Sequence, residues 1–213
     1  MSKPAIPLSD AETTPPRAWQ RMLSGRRLDL LNPSPDDIEI EDIAHGLARV
    51  ARWNGQTQGA HAFSVAQHSL LVEEIARLRA PDWPACWRLA ALLHDAPEYV
   101  VGDLISPFKN AIGLDYKAFE SRLLAAIHAR FGLPGELPED VRVEIKACDR
   151  VAAFYEATLL AGFGVVEAHS FFGDPGLSSA AADTLCETML RPQAAEEVQG
   201  TFLQRFGVLT KEK

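Results

Sequence analysis

One stretch constrains this chain more than any other: Ala90-Ala91-Leu92-Leu93-His94-Asp95-Ala96-Pro97-Glu98-Tyr99-Val100-Val101-Gly102-Asp103. It opens as an apolar helix, in which Leu89, Ala90, Leu92 and Leu93 form a face that has to be buried. Where a core helix would continue with apolar residues, His94 and Asp95 arrive side by side. An unpartnered carboxylate buried beside an imidazole is costly, so both need a partner. A divalent cation serves both, because neutral imidazole and ionised carboxylate are good ligands for borderline and hard metals. Pro97 has no backbone N–H and disfavours the helical conformation of the residue before it, so a turn is expected after the pair. Glu98 follows His94 by four residues and Asp95 by three. If the turn stays helical it shares their face, within reach of a metal-bound water.

The rest of the composition narrows the class. A length of 213 residues suits one domain with a tail and buries a core without covalent staples. A net charge of −8 argues against broad contact with a nucleic-acid backbone, which calls for a basic surface. It leaves room for a small anionic substrate, because a metal and one or two arginines reverse the local field. Cys86, Cys148 and Cys186 are odd in number and far apart, and read as free thiols in a reducing compartment. Met1 to Pro16 has no apolar segment of the secretory kind, and no apolar run reaches membrane-spanning length; the nearest, Val151 to Val166, carries Glu156. The protein is expected to be cytoplasmic, with no membrane and no nucleic-acid partner.

Periodicity predicts a mainly α chain. Residues 1–16 are rich in Pro and Thr and are expected to be poorly ordered. A short helix is expected at Arg17–Leu23, with extended segments at Leu28–Leu31 and Ile38–Ile40 that would pair. Helices are predicted at Glu41–Arg52, at Val65–Leu78 behind a Ser64 cap, and at Ala85–Asp95. A loop leading to a short helix is expected over Leu104–Lys109. Further helices are predicted at Asp115–Phe131, Pro138–Ala161, Ala180–Leu190 and Pro192–Phe206. No strand–helix alternation occurs, so the class is all-α. Expected domain limits are an N-terminal extension over 1–25 and one helical domain over 26–213, with its core at 40–165. His45, His61, His128 and His169 read as surface or capped histidines. Trp19, Trp83 and Trp87 read as core or helix-staple residues, and Glu73-Glu74 and Glu196-Glu197 as solvated helix faces.

Four residues compose a candidate metal site on three predicted helices: His68, His94, Asp95 and Asp149. Each is flanked by small or apolar residues at helical spacing, so each is expected to point inward. Two imidazoles and two carboxylates supply a charge of about −2, which balances one divalent cation and leaves positions for water and substrate. Taken alone, Asp149 would equally serve as an ion-pair partner of Lys146 or Arg150, and Arg52 as a cation at a helix C-terminus.

The order His68, His94-Asp95, Asp149 resembles the H…HD…D signature of the HD superfamily of metal-dependent phosphohydrolases. Arg52-Trp53, Ala66-Gln67-His68-Ser69-Leu70, Leu93-His94-Asp95-Ala96-Pro97-Glu98, Gly102-Asp103-Leu104-Ile105-Ser106-Pro107-Phe108-Lys109 and Lys146-Ala147-Cys148-Asp149 are similar to the bacterial 5′-deoxynucleotidases of that superfamily. The resemblance covers roughly residues 40–160. It departs at Asn54–Ala62, which is Gly- and Gln-rich, and at Cys148, where the family usually has Ala. It implies an HD-type helical bundle with the metal held by His68, His94, Asp95 and Asp149. It implies that Glu98 orients or deprotonates the attacking water and that Arg52 holds the phosphate. Trp53, Asp95, Asp103, Leu104, Ile105 and Ser106 would contact the nucleotide, with Asp103 placed to read a sugar hydroxyl. The ion would be Mn, Co, Fe, Zn or Ni, the partner a small nucleotide, and the assembly a homodimer. The implied reaction is hydrolysis of (deoxy)nucleoside 5′-monophosphates to nucleoside and phosphate. Alternatives are a (deoxy)nucleoside triphosphohydrolase releasing triphosphate, and a metal-dependent nucleotide sensor without turnover.

Overall fold

A computed structural model describes residues 18–103 and 116–211. The expectations for residues 1–16, for the segment Leu104–Lys109 and for the contacts of Leu104, Ile105 and Ser106 lie outside the described residues.

The chain is all-α apart from one small hairpin. Its helices are α1 (Ile40–Leu47), α2 (Val65–Arg79), α3 (Ala85–Leu92), α4 (Glu98–Val101), α5 (Tyr116–Arg130), α6 (Glu139–Leu159), α7 (Val165–Phe172), α8 (Ser179–Met189) and α9 (Ala195–Lys211). Helix α2 is the centre of the bundle, packed against α1, α3, α6, α8 and α9. Ser64 caps it, its hydroxyl accepting from the Gln67 amide at 3.3 Å. Its first nine residues, Val65 to Glu73, are all buried, so it has no solvated face there. A helix buried all round has to satisfy every polar side chain internally. Gln67 does so by donating to the Arg191 carbonyl at 2.8 Å and accepting from the Gln193 amide at 3.2 Å. Glu73 is held by Arg88 of α3 at 2.6 Å and Arg205 of α9 at 3.3 Å. Ser69 is buried with no partner for its hydroxyl among the described residues, and His68 is the fourth polar residue of the stretch, on which the candidate site is built.

Helix α1 packs against α4 through Gly46. A Cβ built on Gly46 would lie 2.8 Å from Cβ of Tyr99 and 3.1 Å from its carbonyl oxygen, so only glycine permits this approach. None of the helices is long and apolar enough to cross a membrane, among the described residues.

Several expectations are corrected. Trp19–Arg21 is strand β1, not helix, and pairs antiparallel with β2 (Arg27–Asp29), in register Gln20 to Leu28. Gly25, at φ 87°, turns the hairpin, and the Trp19 ring lies under the guanidinium of Arg27 at 4.4 Å. Trp19 is thus a half-buried cation–π platform rather than a core residue, and Ile38–Ile40 is not the partner of Leu28. Helix α1 ends at Leu47 instead of Arg52, because Ala51 bridges to Ser64 and draws the chain into extended form. Helix α3 ends at Leu92, so His94 and Asp95 stand in the turn beyond it. Helix α7 was not anticipated. Glu73 is buried in an ion-pair network, and His128 is 1% exposed, its Nδ1 3.1 Å from the Pro134 carbonyl.

Candidate metal and phosphate site

The site lies where α2, the turn after α3, and α6 meet. His68 Nε2, His94 and Asp149 place one ligand atom each within 4.8 Å of the others. The two imidazole rings are 5.2 Å apart, centroid to centroid. Asp95 Oδ2 lies 3.5 Å from His68 Nε2 and 3.2 Å from His94 Nε2, so it joins the same cluster. Asp149 Oδ1 lies 3.2 Å from His68 Nε2 while its Oδ2 accepts from Lys146 Nζ at 2.6 Å. Asp149 therefore serves both the ion pair and the cluster that its sequence context left as alternatives.

The second nitrogen of each ring is already engaged. His94 Nδ1 is 2.9 Å from the Ala91 carbonyl, an acceptor only, so Nδ1 carries the proton and Nε2 holds the lone pair. His68 Nδ1 is 2.5 Å from Glu156 Oε1. Both Nε2 atoms are buried and make no hydrogen bond, although they face carboxylate oxygens. Orphaned, buried lone pairs beside two carboxylates are the donor set a divalent cation fits.

Charge in the cluster follows from burial and neighbours. Burial raises the Asp95 carboxyl, but His94 and His68 override it and hold Asp95 well below the usual range. Asp149 is lowered in the same way, against burial, by His68 and then His94. Burial and Arg52 work against charging His68, yet Glu156, Asp149 and Asp95 hold it well above its ordinary value. Glu156, fully buried, is brought down to about 2 against burial by His68 and Arg52. A proton on His68 and a divalent cation are alternative ways of offsetting the same carboxylates.

Arg52 stands on the other side of Glu156. Its Nε donates to Glu156 Oε2 at 3.3 Å and its Nη1 to Asp103 Oδ2 at 3.2 Å. Those two bonds use two of its five N–H donors. The adjoining Trp53 Nε1 donates to Glu156 Oε2 at 2.8 Å. Trp53 (φ 56°, ψ 29°) and Asn54 (φ 51°, ψ 32°) are both left-handed, a conformation that costs a non-glycine residue about 1–3 kcal/mol. The hook is held by its surroundings. The Arg52 amide donates to the Phe63 carbonyl at 2.8 Å, and Trp53 packs on Phe163 and Phe172 at 5.6 and 6.1 Å.

Glu98 is 3% exposed and opens α4, one residue past Pro97, with its amide donating to the Asp95 carbonyl at 3.0 Å. Of the residues singled out from sequence, the structure brings together His68, His94, Asp95 and Asp149, and joins Arg52, Trp53 and Asp103 to them through Glu156. Asp103 lies on Arg52. Sequence reasoning missed Glu156, which it read only as an interruption in an apolar run. The available signal was spacing: Glu156 follows Asp149 by seven residues, two turns along one helical face.

A family model described as the HD domain matches residues 65–153, which include His68, His94, Asp95, Glu98 and Asp149. An HD domain is thus present over residues 65–153. An uncharacterised protein of Rhodobacter capsulatus is 56% identical over 197 residues, spanning 92% of this chain and 97% of its own length. The uncharacterised protein YfdR of Escherichia coli is 32% identical over 122 residues, 57% of this chain and 63% of YfdR. A solved structure of the cyanophage S-2L HD phosphohydrolase (DatZ), bound to dA and one catalytic Zn2+ ion, matches with a TM-score of 0.41 and 20% identity, over 80% of this chain and 96% of that one. HD domains bind a divalent metal, and His68, His94 and Asp149 fit one here.

Proposed function

We propose that this protein is a metal-dependent phosphomonoesterase that hydrolyses (deoxy)nucleoside 5′-monophosphates to nucleoside and phosphate. The observation that carries the reading is the placement of Arg52. A guanidinium pinned by two carboxylates, one of which also holds a metal-ligand imidazole, is a preorganised phosphate clamp beside a metal site. The resemblance of the Arg52-Trp53, His94-Asp95-Ala96-Pro97-Glu98 and Gly102-Asp103 segments to 5′-deoxynucleotidases supports the monoester over other phosphate esters. So does charge. Among the described residues, the cationic side chains paired with carboxylates of the site are Lys146, on Asp149, and Arg52, on Glu156 and Asp103, a set that suits a single phosphate dianion.

His68, His94, Asp95 and Asp149 would hold the ion. A bound divalent metal supplies Lewis acidity toward a phosphoryl oxygen and lowers the pKa of water. Glu98 would accept a proton of the attacking water and direct that water in line with the leaving 5′-oxygen, which takes up a proton from solvent as the P–O5′ bond breaks. Arg52 stabilises charge on the phosphoryl oxygens, and Asp103 and Glu156 keep its guanidinium from swinging away. Trp53, held in its hook, offers an aromatic face near the nucleoside.

The test incubates protein reconstituted with Mn2+ or Co2+ with a panel of nucleoside mono- and triphosphates and identifies the products. Inorganic phosphate from monophosphates, lost in Glu98→Ala, is the expected outcome. Release of triphosphate would replace this reading with a triphosphohydrolase, and tight binding without product would replace it with a nucleotide sensor.

A further inference from the structure

Glu156 is fully buried and touches three groups with two oxygens. Oε1 faces His68 Nδ1 at 2.5 Å, while Oε2 accepts from Trp53 Nε1 at 2.8 Å and Arg52 Nε at 3.3 Å. It shares one face of α6 with Asp149, two turns earlier. One helix thus grips both nitrogens of the same imidazole: Glu156 takes Nδ1 and Asp149 lies 3.2 Å from Nε2. A carboxylate is an acceptor only. It therefore holds a proton on Nδ1, so that once Nε2 is deprotonated, as a metal requires, its lone pair faces Asp149, Asp95 and His94.

We propose that Glu156 is a positioning residue that builds the metal-binding and phosphate-binding halves of the site as one unit, by fixing the His68 tautomer with one oxygen and the Arg52-Trp53 hook with the other. The inference rests on the reading of His68 as a ligand. It adds a residue that contacts neither metal nor substrate yet sets the geometry of both. His94, by contrast, is oriented by a backbone carbonyl, and Asp103 bonds Arg52 on the phosphate side.

Glu156→Gln makes a specific chemical prediction. The variant has one oxygen and one NH2 where the wild type has two oxygens. Two donors, Arg52 Nε and Trp53 Nε1, compete for that oxygen against one from His68. With the oxygen turned to Arg52 and Trp53, the NH2 faces Nδ1, which must then become an acceptor. The His68 proton moves to Nε2, where it blocks the metal.

The experiment uses the full chain and three readouts. In 15N-histidine-labelled protein, the His68 tautomer is read from long-range 1H–15N correlations in the absence of metal, at a pH alkaline enough for the imidazole to be neutral. Co2+ affinity is read from its absorption spectrum by chelator competition. Affinity for inorganic phosphate is read on the Co2+-loaded protein. The wild type is expected to hold the proton on Nδ1. E156Q is expected to shift it to Nε2, to lose about 10–100-fold in Co2+ affinity, and to weaken phosphate binding. D103N, whose bond among the described residues is to Arg52, is expected to weaken phosphate binding while leaving Co2+ affinity unchanged. A wild type with its proton on Nε2, or a folded E156Q that binds Co2+ and phosphate as the wild type does, would overturn the inference. A wild type that binds no Co2+ would sink the metal reading itself, a distinguishable result. If E156Q fails to fold, the wild-type tautomer decides.

Discussion

Replacing Gly46 with alanine tests whether the α1–α4 contact sets the position of Glu98. Alanine in a helix is better than glycine by about 1 kcal/mol, so by propensity alone G46A should stabilise the protein. The structure says otherwise. The new Cβ would meet Tyr99 Cβ at 2.8 Å, and ordinary contact begins at 3.4 Å, so Tyr99 must retreat by about 0.6 Å. The crowding atoms are Cβ, the carbonyl oxygen and Cα of Tyr99, which no rotamer change can move aside. Overpacking of this kind costs about 1–3 kcal/mol. Gly200, in α9, is a control with the same chemistry: nothing lies within 4 Å of a Cβ built there. G200A should gain about 0.5–1 kcal/mol. The gap between the two variants isolates the crowding, and at about 2–4 °C per kcal/mol it should appear as a Tm difference of roughly 2–12 °C. Tyr99 is bonded to Glu98, so the same displacement should reach the proposed base. A 1 Å misplacement can cost about 100-fold in rate, so about tenfold in kcat is expected, with Co2+ affinity unchanged. Thermal melts of both variants and steady-state rates on a monophosphate measure this. A G46A protein as stabilised as G200A, with full activity, would refute the close-packing argument.

Four further outcomes are expected. Glu98→Ala should keep its metal, measured by Co2+ titration, and lose about 10²–10⁴-fold in turnover; full activity would remove Glu98 from the mechanism. Arg52→Lys keeps the charge but not the fork that reaches both Glu156 and Asp103, so inorganic phosphate should bind at least about tenfold more weakly to the Co2+-loaded variant. Asp149→Ala should abolish stoichiometric Co2+ binding. Burial lowers the pKa of His128 in the folded state, against the Pro134 carbonyl, so below pH 6.5 the unfolded chain binds the proton more readily and stability falls with pH. Above pH 6.5 the contribution is complete. Denaturant unfolding of wild type and His128→Gln at pH 7.5 and 5 should show a smaller pH loss in the variant, and equal losses would contradict the assignment.

What the sequence carried was periodicity and chemistry; what it withheld was pairing between distant residues. The 3.6-residue pattern located α2, α3 and α6, because each buries a strong apolar stripe. It failed at Trp19–Leu23, where the four-residue spacing of Trp19 and Leu23 imitates a helix. In the fold Leu23 is 76% exposed, and the segment is a strand because Gly25 turns it onto Arg27–Asp29. It failed at Glu73-Glu74 for a different reason. Consecutive acids signal a solvated face, and only the approach of Arg88 and Arg205 from two other helices makes burial of Glu73 tolerable.

The candidate site follows the same division. His68, His94, Asp95 and Asp149 were legible because polar residues in apolar helical surroundings require a partner, and a cation is one that four of them can share. Glu156 satisfies the same test: it is a carboxylate inside the apolar run Val151 to Val166. A divalent cation balances the two imidazoles and two carboxylates without it. Each imidazole has two nitrogens, however, and a metal occupies only one. A buried histidine ligand therefore implies a second acceptor somewhere in the sequence. For His94 that acceptor is the carbonyl of Ala91, three residues back, which no side-chain pattern can reveal. For His68 it comes from another element, Glu156 of α6. The carboxylate two turns beyond Asp149, on the same face of the same helix and inside an apolar run, was the residue to choose.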